Sequence, residues 1–316
     1  MARGARVTRL ISIIVPVRNG ARLVRPLVAR LRALRPAPGW DTELIMGYNH
    51  STDGSLAERR AAGVTVVPCR RLGPAANRNS AAREARGSLL YFLDHDAYPA
   101  RPDFLERLAA AADRLGDFGA LAGPILMEPR LRWNPIALAD HYACWFNWPH
   151  RRPSGPTTLF NPSTSLVIPR AAFERVGGFD ERIPFLHDFD IQERLKALGL
   201  PLHFCQDLPA VHIDRATLRA SWGHSWAWGS PYRNEYLRRV RSERWPYLYE
   251  RHELFWTNLP RLYARRLRLV TGLAWRTSPA ETLYCFPFLA ATVLAWAAAV
   301  CLRDQPLSEP DELEPE

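Results

Sequence analysis

The five-residue run Leu89-Leu90-Tyr91-Phe92-Leu93 constrains this chain more than any other feature. Gly87-Ser88 opens it, Asp94-His95-Asp96 follows directly, and Ala97-Tyr98-Pro99 closes it. A run without polar alternation has to be covered on both faces, which reads as a strand buried in a parallel sheet. Open α/β sheets bind ligands in the crevice at the carboxyl ends of such strands, and two carboxylates one residue apart stand at this end. Charge placed there has to be used or compensated, because a carboxylate left beside a buried strand end is costly. A divalent cation carrying a nucleotide diphosphate would do both, since Mg²⁺ is typically held by one or two carboxylates plus phosphate oxygens. The alternative for so short a pattern is a solvated turn.

The flanking sequence repeats the same strand-then-turn logic. Ile11 to Val17 is an apolar strand running into Arg18-Asn19-Gly20, followed by a helical pattern from about Ala21 to Leu34. Glu43 to Gly47 forms a second strand with the polar turn Asn49 to Ser55 behind it, and Val64 to Pro68 a third. Gly73 to Ser80 opens a helix that ends at Gly87 and delivers the chain to the first strand described. Strands alternating with helices of this length imply right-handed crossovers and a parallel sheet. Asn161 to Pro169 is a loop entering another strand, and Arg170 to Val176 a short helix.

With these residues in order, the chain resembles the family 2 glycosyltransferases, whose fold is the GT-A nucleotide-sugar-binding fold. The resemblance is carried by Pro16 and Asn19, the turn Ser51-Thr52-Asp53-Gly54-Ser55, Arg78-Asn79 and Asp94-His95-Asp96. It continues through Val176-Gly177-Gly178-Phe179-Asp180-Glu181, His187-Asp188-Phe189-Asp190-Ile191 with Arg194, and Val211-His212. It covers about residues 8 to 214. It implies an inverting enzyme that uses Mg²⁺ or Mn²⁺ and moves one sugar from a nucleotide diphosphate sugar to a hydroxyl acceptor.

The resemblance also assigns roles. Asp96 is expected to hold the metal and His212 to face the metal or diphosphate, with a structural histidine as the alternative at that position. Asp94 orients ribose or a metal-bound water, and Arg78 offers the diphosphate its fork of donors. Pro16, Asn19, Asn49 and Asp53 line the donor nucleotide. Asp188 is the expected base, taking the acceptor proton, with Asp190 and Arg194 at the start of a helix, where the dipole favours Asp190. The family commonly has Glu-Asp where this chain has His187-Asp188, which bears on the acceptor. It often has Asp-Asp where this chain has Tyr48-Asn49, which bears on the nucleobase; UDP is favoured over GDP or dTDP. His141 to Arg152, with Trp145, Trp148 and His150, is a candidate sugar-facing segment or else core packing.

Length and charge bound the remainder. The 316 residues suffice for one large α/β domain and an appendage. The net charge of +10 is almost all arginine, Lys196 being the sole lysine, and without a recognised nucleic-acid module no nucleic-acid partner is expected. Five cysteines show no C-x-x-C or metal-ligand spacing and read as packing residues in a reducing compartment. Arg3, Arg6 and Arg9 before an apolar run imitate a signal peptide, but Pro16 and Arg18 interrupt the run, which is needed as the first strand.

Leu283 to Leu302 carries no charge and as a helix spans about 30 Å, a bilayer core. Pro287 falls near the beginning of that stretch, where proline is tolerated. Upstream, Pro260 to Trp275 reads as an interfacial helix with arginines toward lipid headgroups and Leu262, Leu267, Leu269 and Leu273 inward. The arginine asymmetry puts the catalytic part at the cytoplasmic face of the membrane. The alternative is a buried helix hairpin closing the catalytic domain. The resulting organisation is a GT-A domain over 1–215, a basic aromatic helical extension over 216–280, a transmembrane or re-entrant helix over 281–302 and an acidic tail over 303–316. Processive polysaccharide synthases carry Gln-x-x-Arg-Trp and several membrane helices. This chain has Arg241-Ser242-Glu243-Arg244-Trp245 and one candidate span, which points to single-sugar transfer onto a lipid-linked or surface glycan. The competing classes are a sugar nucleotidyltransferase and a catalytically silent membrane-associated nucleotide-sugar-binding protein.

Overall fold

The computed structural model of the chain describes residues 9–145, 152–183, 186–229 and 255–302. Trp148 and His150, Arg241 to Trp245 and the acidic tail lie outside the described residues. The first half alternates as β1 (Arg9–Val17), α1 (Ala21–Arg32), β2 (Trp40–Tyr48), α2 (Ser55–Ala61), β3 (Thr65–Pro68), α3 (Pro74–Glu84) and β4 (Leu89–Leu93). Then come β5 (Ala97–Pro99), α4 (Phe104–Leu115), β6 (Ala120–Ala122), β7 (Ile125–Met127), α5 (Pro135–Trp145), β8 (Gly155–Thr157), β9 (Ser165–Pro169) and α6 (Arg170–Arg175). The chain continues through α7 (His187–Ala197), β10 (Leu202–Phe204), β11 (Ala210–His212), α8 (Leu218–Gly229), α9 (Phe255–Thr277) and α10 (Pro279–Leu302).

Eight strands make one sheet in the order β3-β2-β1-β4-β9-β6-β10-β8. The β3-β2-β1-β4 half is parallel throughout, while β9 runs antiparallel to both β4 and β6. This is the mixed, parallel-rich α/β architecture expected from the sequence. The run of five apolar residues in β4 is explained by its two faces: Leu89, Tyr91 and Leu93 pack with Leu27, Phe104 and Leu108 from α1 and α4. Leu90 and Phe92 pack on the other side with Ala81 of α3, Phe173 of α6 and Ile191 of α7. A second, three-stranded sheet has the order β5-β11-β7.

Close approach fixes one glycine. A Cβ at Gly47 would stand 1.9 Å from Asn77 Oδ1 and 3.0 Å from the Asn77 carbonyl oxygen, so α3 lies on β2 only because position 47 has no side chain. Gly47→Ala is expected to destabilise by about 1–3 kcal/mol through overpacking. Denaturant unfolding should show a lower midpoint at unchanged slope; an unaltered midpoint would mean that α3 can retreat without loss.

By packing, the chain divides into two compact units. The first holds residues 1–126 and 150–212, and the second holds 127–149 and 213–309. This differs from a division drawn along the sequence at 215, because α5 packs with the C-terminal helices. The core of the second unit joins Leu138, Ala139 and Ala143 of α5 with Val270 of α9 and Cys285, Leu289 and Val293 of α10. Ser221 of α8 meets Thr292 of α10 at 3.2 Å between hydroxyls.

Two details of this unit depart from expectation. Helix α10 begins at Pro279, so Pro287 sits in its third turn rather than its first, where the missing N–H leaves the Leu283 carbonyl without its helical donor. On α9, Arg261, Arg265 and Arg268 are exposed and Leu262 is buried, but Leu269 is 45% exposed instead of facing inward. Glu281, in the first turn of α10 where the dipole favours a carboxylate, accepts from Tyr142 Oη at 2.8 Å and pairs with Arg132 at 3.2 Å.

Candidate active site

The carboxyl ends of β1, β2 and β4 lie side by side, because the parallel registers pair Val17 with Tyr48 and Ile14 with Phe92. Asn19 follows β1 with a left-handed backbone, φ +52°. Its N–H donates to Ser51 Oγ at 3.1 Å and its Oδ1 accepts from the Thr52 N–H at 2.9 Å. Asp53 binds the loop from the other side, accepting from the Ala21 N–H at 2.9 Å and the Ser55 N–H at 3.0 Å. The Ala21 hydrogen bond, followed by that from Ser55, holds the Asp53 carboxyl below its ordinary range. Asp53 thus ties together the amino-terminal ends of α1 and α2. Pro16 is buried at the end of β1, and Asn49 is buried with its Nδ2 donating to the Gly73 carbonyl at 3.0 Å. Among the described residues, the Oδ1 of Asn49 has no hydrogen-bond partner.

Arg59 was not singled out by sequence reasoning. Its guanidinium is fully buried beneath these strand ends, donating to Gly47 O at 3.1 Å and standing 5.1 Å from the centre of the Tyr48 ring. Burial pushes it down to about 10. Nothing in a helical Glu58-Arg59-Arg60 run distinguishes an inward arginine from a solvated one.

The Asp94-His95-Asp96 loop is pinned on three sides. The Asp94 N–H donates to Thr164 O at 3.1 Å, and Asp94 Oδ2 accepts from Thr164 Oγ1 at 2.7 Å. This follows from β9 lying antiparallel on β4, with Leu93 opposite Ser165. His95 packs over Gly20, where a Cβ would come 2.5 Å from the ring, so the first loop needs glycine there. Asp96 meets His212 because β5 pairs with β11 and sets His212 opposite Ala97. The gap from His212 Nε2 to Asp96 Oδ2 is 3.5 Å, with the histidine almost fully buried and the aspartate part exposed. A carboxylate oxygen beside a ring nitrogen is a donor set that fits a divalent ion whose remaining positions go to phosphate oxygens and water.

Arg78 differs from expectation. It is 3% exposed, and its terminal nitrogens go to Asp94 and to His187 Nε2, the latter at 2.8 Å, instead of facing a diphosphate. Since arginine can only donate, His187 accepts at Nε2 and carries its proton on Nδ1. Burial, then the Arg78 charge, holds His187 well below its ordinary range, so the ring is neutral.

Asp188 is the second residue of α7, which His187 opens directly after Leu186, whose backbone is left-handed at φ +62°. Its Oδ2 accepts from the Ser163 N–H at 3.1 Å and its Oδ1 from the Phe189 N–H at 2.9 Å. Burial raises the Asp188 carboxyl, and the Ser163 hydrogen bond only partly offsets this. Gln192, fully buried and also unforeseen, holds the same loop by exchanging hydrogen bonds with the backbone of Asn161 at 2.7 and 2.6 Å. Asp190 pairs with Arg194 at 2.8 Å, and Arg194 donates to Gly178 O at 2.9 Å. Asn79 staples Phe179 to α3 by donating to its carbonyl and accepting from its N–H. The Gly-Gly-Phe-Asp segment is therefore a clamp between α3 and α7. In the second unit, Trp145 is buried and donates to Asp214 Oδ1 at 3.2 Å, the packing role of its two alternatives.

Comparison with known proteins decides the family. The sequence pattern of Glycosyl transferase family 2 matches residues 12–177, just over half of the chain. The chain belongs to glycosyl transferase family 2. This family 2 chain is 29% identical over 239 residues to the O-antigen biosynthesis protein RfbC of Myxococcus xanthus, covering 68% of the chain and 18% of that protein. It is 30% identical over 218 residues to the pre-mycofactocin glycosyltransferase of Mycobacterium tuberculosis, covering 67% of the chain and 44% of that protein. The chain thus spans less than half the length of the curated relatives it matches. In fold it is similar to the mannosyltransferase PcManGT of Pyrobaculum calidifontis, solved with GDP-Man and Mn²⁺, at TM-score 0.59 and 20% identity over 94% of this chain and 88% of that one. It is likewise similar to residues 1–349 of S. aureus TarS with UDP, at TM-score 0.52 and 16% identity over 90% and 89% of the two chains.

Proposed function

We propose that this family 2 chain transfers one sugar from a nucleotide diphosphate sugar to an acceptor hydroxyl with inversion at the anomeric carbon. The observation that carries the reading is the pair Asp96 and His212, 3.5 Å apart at the mouth of the sheet, with the Asp188 carboxylate tied to the β9 loop that also holds Asp94. Asp96 and His212 would hold Mg²⁺ or Mn²⁺, which supplies positive charge where the leaving diphosphate becomes more negative. Asp188 takes the proton of the acceptor hydroxyl as its oxygen attacks, and the bond from the anomeric carbon to the diphosphate oxygen breaks. His187 cannot serve as the base through Nε2, which Arg78 occupies. Arg78 is a positioning residue that fixes Asp94 and His187 together.

The similarity to proteins solved with GDP-Man and Mn²⁺ and with UDP supports a nucleotide-sugar donor and a divalent ion. Tyr48 and Asn49, replacing an acidic pair, leave UDP and GDP donors to be separated by experiment. Incubating the chain with UDP-, GDP- and dTDP-sugars and Mn²⁺ should release nucleoside diphosphate with one of them. Pyrophosphate release would instead indicate nucleotidyl transfer, and a bound donor that never turns over would indicate a silent binder.

The proposal includes the cytoplasmic face of a membrane and a lipid-linked or surface-glycan acceptor. Among the described residues, nine of the eleven exposed large hydrophobic side chains belong to the second unit, among them Trp133, Trp275, Leu283, Tyr284 and Phe286. Aromatic side chains around a helix hairpin with exposed arginines suit a headgroup interface. Half of the apolar window of α10 is buried against protein, which favours an inserted hairpin over a lone span. The full chain should float with vesicles containing anionic lipid, and the double substitution Trp275→Glu, Leu283→Glu should abolish flotation. Undiminished flotation of that variant would remove this part of the proposal.

A further inference from the structure

Helix α5 presents Asp140 and Cys144 one turn apart on one face, and α8 brings His224 against them. The carboxylate, thiol and ring donor atoms all lie within 4.8 Å of one another, and Cys144 Sγ is 3.6 Å from His224 Nδ1. Asp140 is fully buried. Its Oδ2 accepts from the Arg215 N–H at 3.2 Å and lies 3.6 Å from the Arg215 guanidinium, and the Ser221 hydroxyl is turned toward the carboxylate; among the described residues Oδ1 has no hydrogen bond of normal length and angle. A buried carboxylate oxygen without a donor is costly unless something positive meets it.

We propose that Asp140, Cys144 and His224 bind a zinc-type transition metal ion, separate from the Asp96 and His212 site. The chemistry of the donors selects the ion: thiolate and imidazole suit Zn²⁺, whereas Mg²⁺ requires a shell of oxygens. The geometry agrees. Zn–S of about 2.3 Å and Zn–N of about 2.0–2.1 Å in a tetrahedron place sulfur and nitrogen about 3.5 Å apart. A thiolate and a carboxylate with a neutral imidazole would turn two negative charges toward a divalent ion, with the Arg215 guanidinium on the far side of Asp140 taking part of the carboxylate's charge. Without the ion, burial raises the Cys144 thiol well above its ordinary value, and the nearby Asp140 charge adds to this. Three protein ligands leave a fourth position for water. Such an ion would clip α5 to α8, whose ligands are separated by 80 residues of sequence.

The test uses the full chain, freed of metal by chelation. Stoichiometric Co²⁺ should give a thiolate-to-cobalt charge-transfer band with visible bands of tetrahedral intensity, and Zn²⁺ should bleach both. Zn²⁺ should raise the melting temperature by several degrees where Mg²⁺ does not. Cys144→Ser should lose the charge-transfer band while its four other cysteines remain, and His224→Gln should weaken Co²⁺ binding at least tenfold. Asp96→Asn should keep the full thiolate-to-cobalt charge-transfer band, which separates this site from the catalytic one. Absence of the band in the unsubstituted chain, or its persistence in Cys144→Ser, would overturn the proposal and leave only a thiol–imidazole hydrogen bond. If Cys144→Ser fails to fold, the His224→Gln titration decides alone, with unchanged affinity counting against the site.

Discussion

Asp188→Asn is expected to lower transfer by about 10²- to 10⁴-fold, the usual contribution of a general base, with donor Kd unchanged. The amide keeps the size of the carboxylate and still accepts from the Ser163 N–H through its one oxygen, while its NH2 replaces the oxygen that accepted from the Phe189 N–H, so the loss of basicity comes with the loss of one local hydrogen bond. His187→Ala should cost much less, because the neutral ring is engaged by Arg78 through Nε2 and moves no proton, while the Ser163 and Phe189 N–H groups hold Asp188. The pH profile gives an independent reading. Burial raises the Asp188 carboxyl in the folded protein, and the base must be ionised to act, so the acid limb of kcat should fall above the ordinary aspartate value and vanish in Asp188→Asn. The same shift means that stability is lost as pH rises from the ordinary aspartate value through the raised folded value, where the buried carboxyl ionises. Removing the carboxyl relieves that loss, a relief offset where the amide NH2 meets the Phe189 N–H, so Asp188→Asn should stay within about 1–3 kcal/mol of the unsubstituted chain at neutral pH. A His187→Ala defect as deep as that of Asp188→Asn, with donor binding intact, would overturn the assignment of the base.

Asp96→Asn is expected to remove most turnover, by about 10²-fold or more, because a metal at a developing anion contributes several kcal/mol of transition-state stabilisation. The fold should survive, since Asp96 is part exposed and its amide replacement keeps the volume. The residual rate should respond only weakly to added Mn²⁺. The comparison that tests the assignment is His212→Ala, which should raise the Mn²⁺ concentration needed for half-maximal rate. Turnover insensitive to Mg²⁺ and Mn²⁺ in the unsubstituted chain would remove the metal from Asp96 altogether.

Local pattern made the strands of the parallel half readable, because β1, β2, β3 and β4 each carry their own apolar signal; their order was not, since β4 returns past β2 to pair with β1. The antiparallel β9 was readable only as a strand. Its neighbours were not, so the contact of Thr164 with Asp94 and of Ser163 with Asp188 was invisible: hydroxyl and amide groups in a polar loop carry no signal of what they will face. Arg78 shows the opposite failure. Its motif was recognised, yet only the packing of α3 against the sheet reveals that the guanidinium points inward to Asp94 and His187. The Asp140, Cys144 and His224 cluster had no spacing signature, because its third member arrives from a different helix.

The position of β9 also bears on how such a chain assembles. β1 to β4 join through connections short enough to form as the chain leaves the ribosome, whereas the partner for the far edge of β4 is made about 70 residues later. Until then Leu89 to Leu93, apolar on both faces, offers open backbone groups to any other strand, which makes it prone to aggregation during synthesis. The Asp94 loop acquires its Thr164 anchors at the same moment that this edge is covered, so the loop is fixed and an open strand edge is closed in one step.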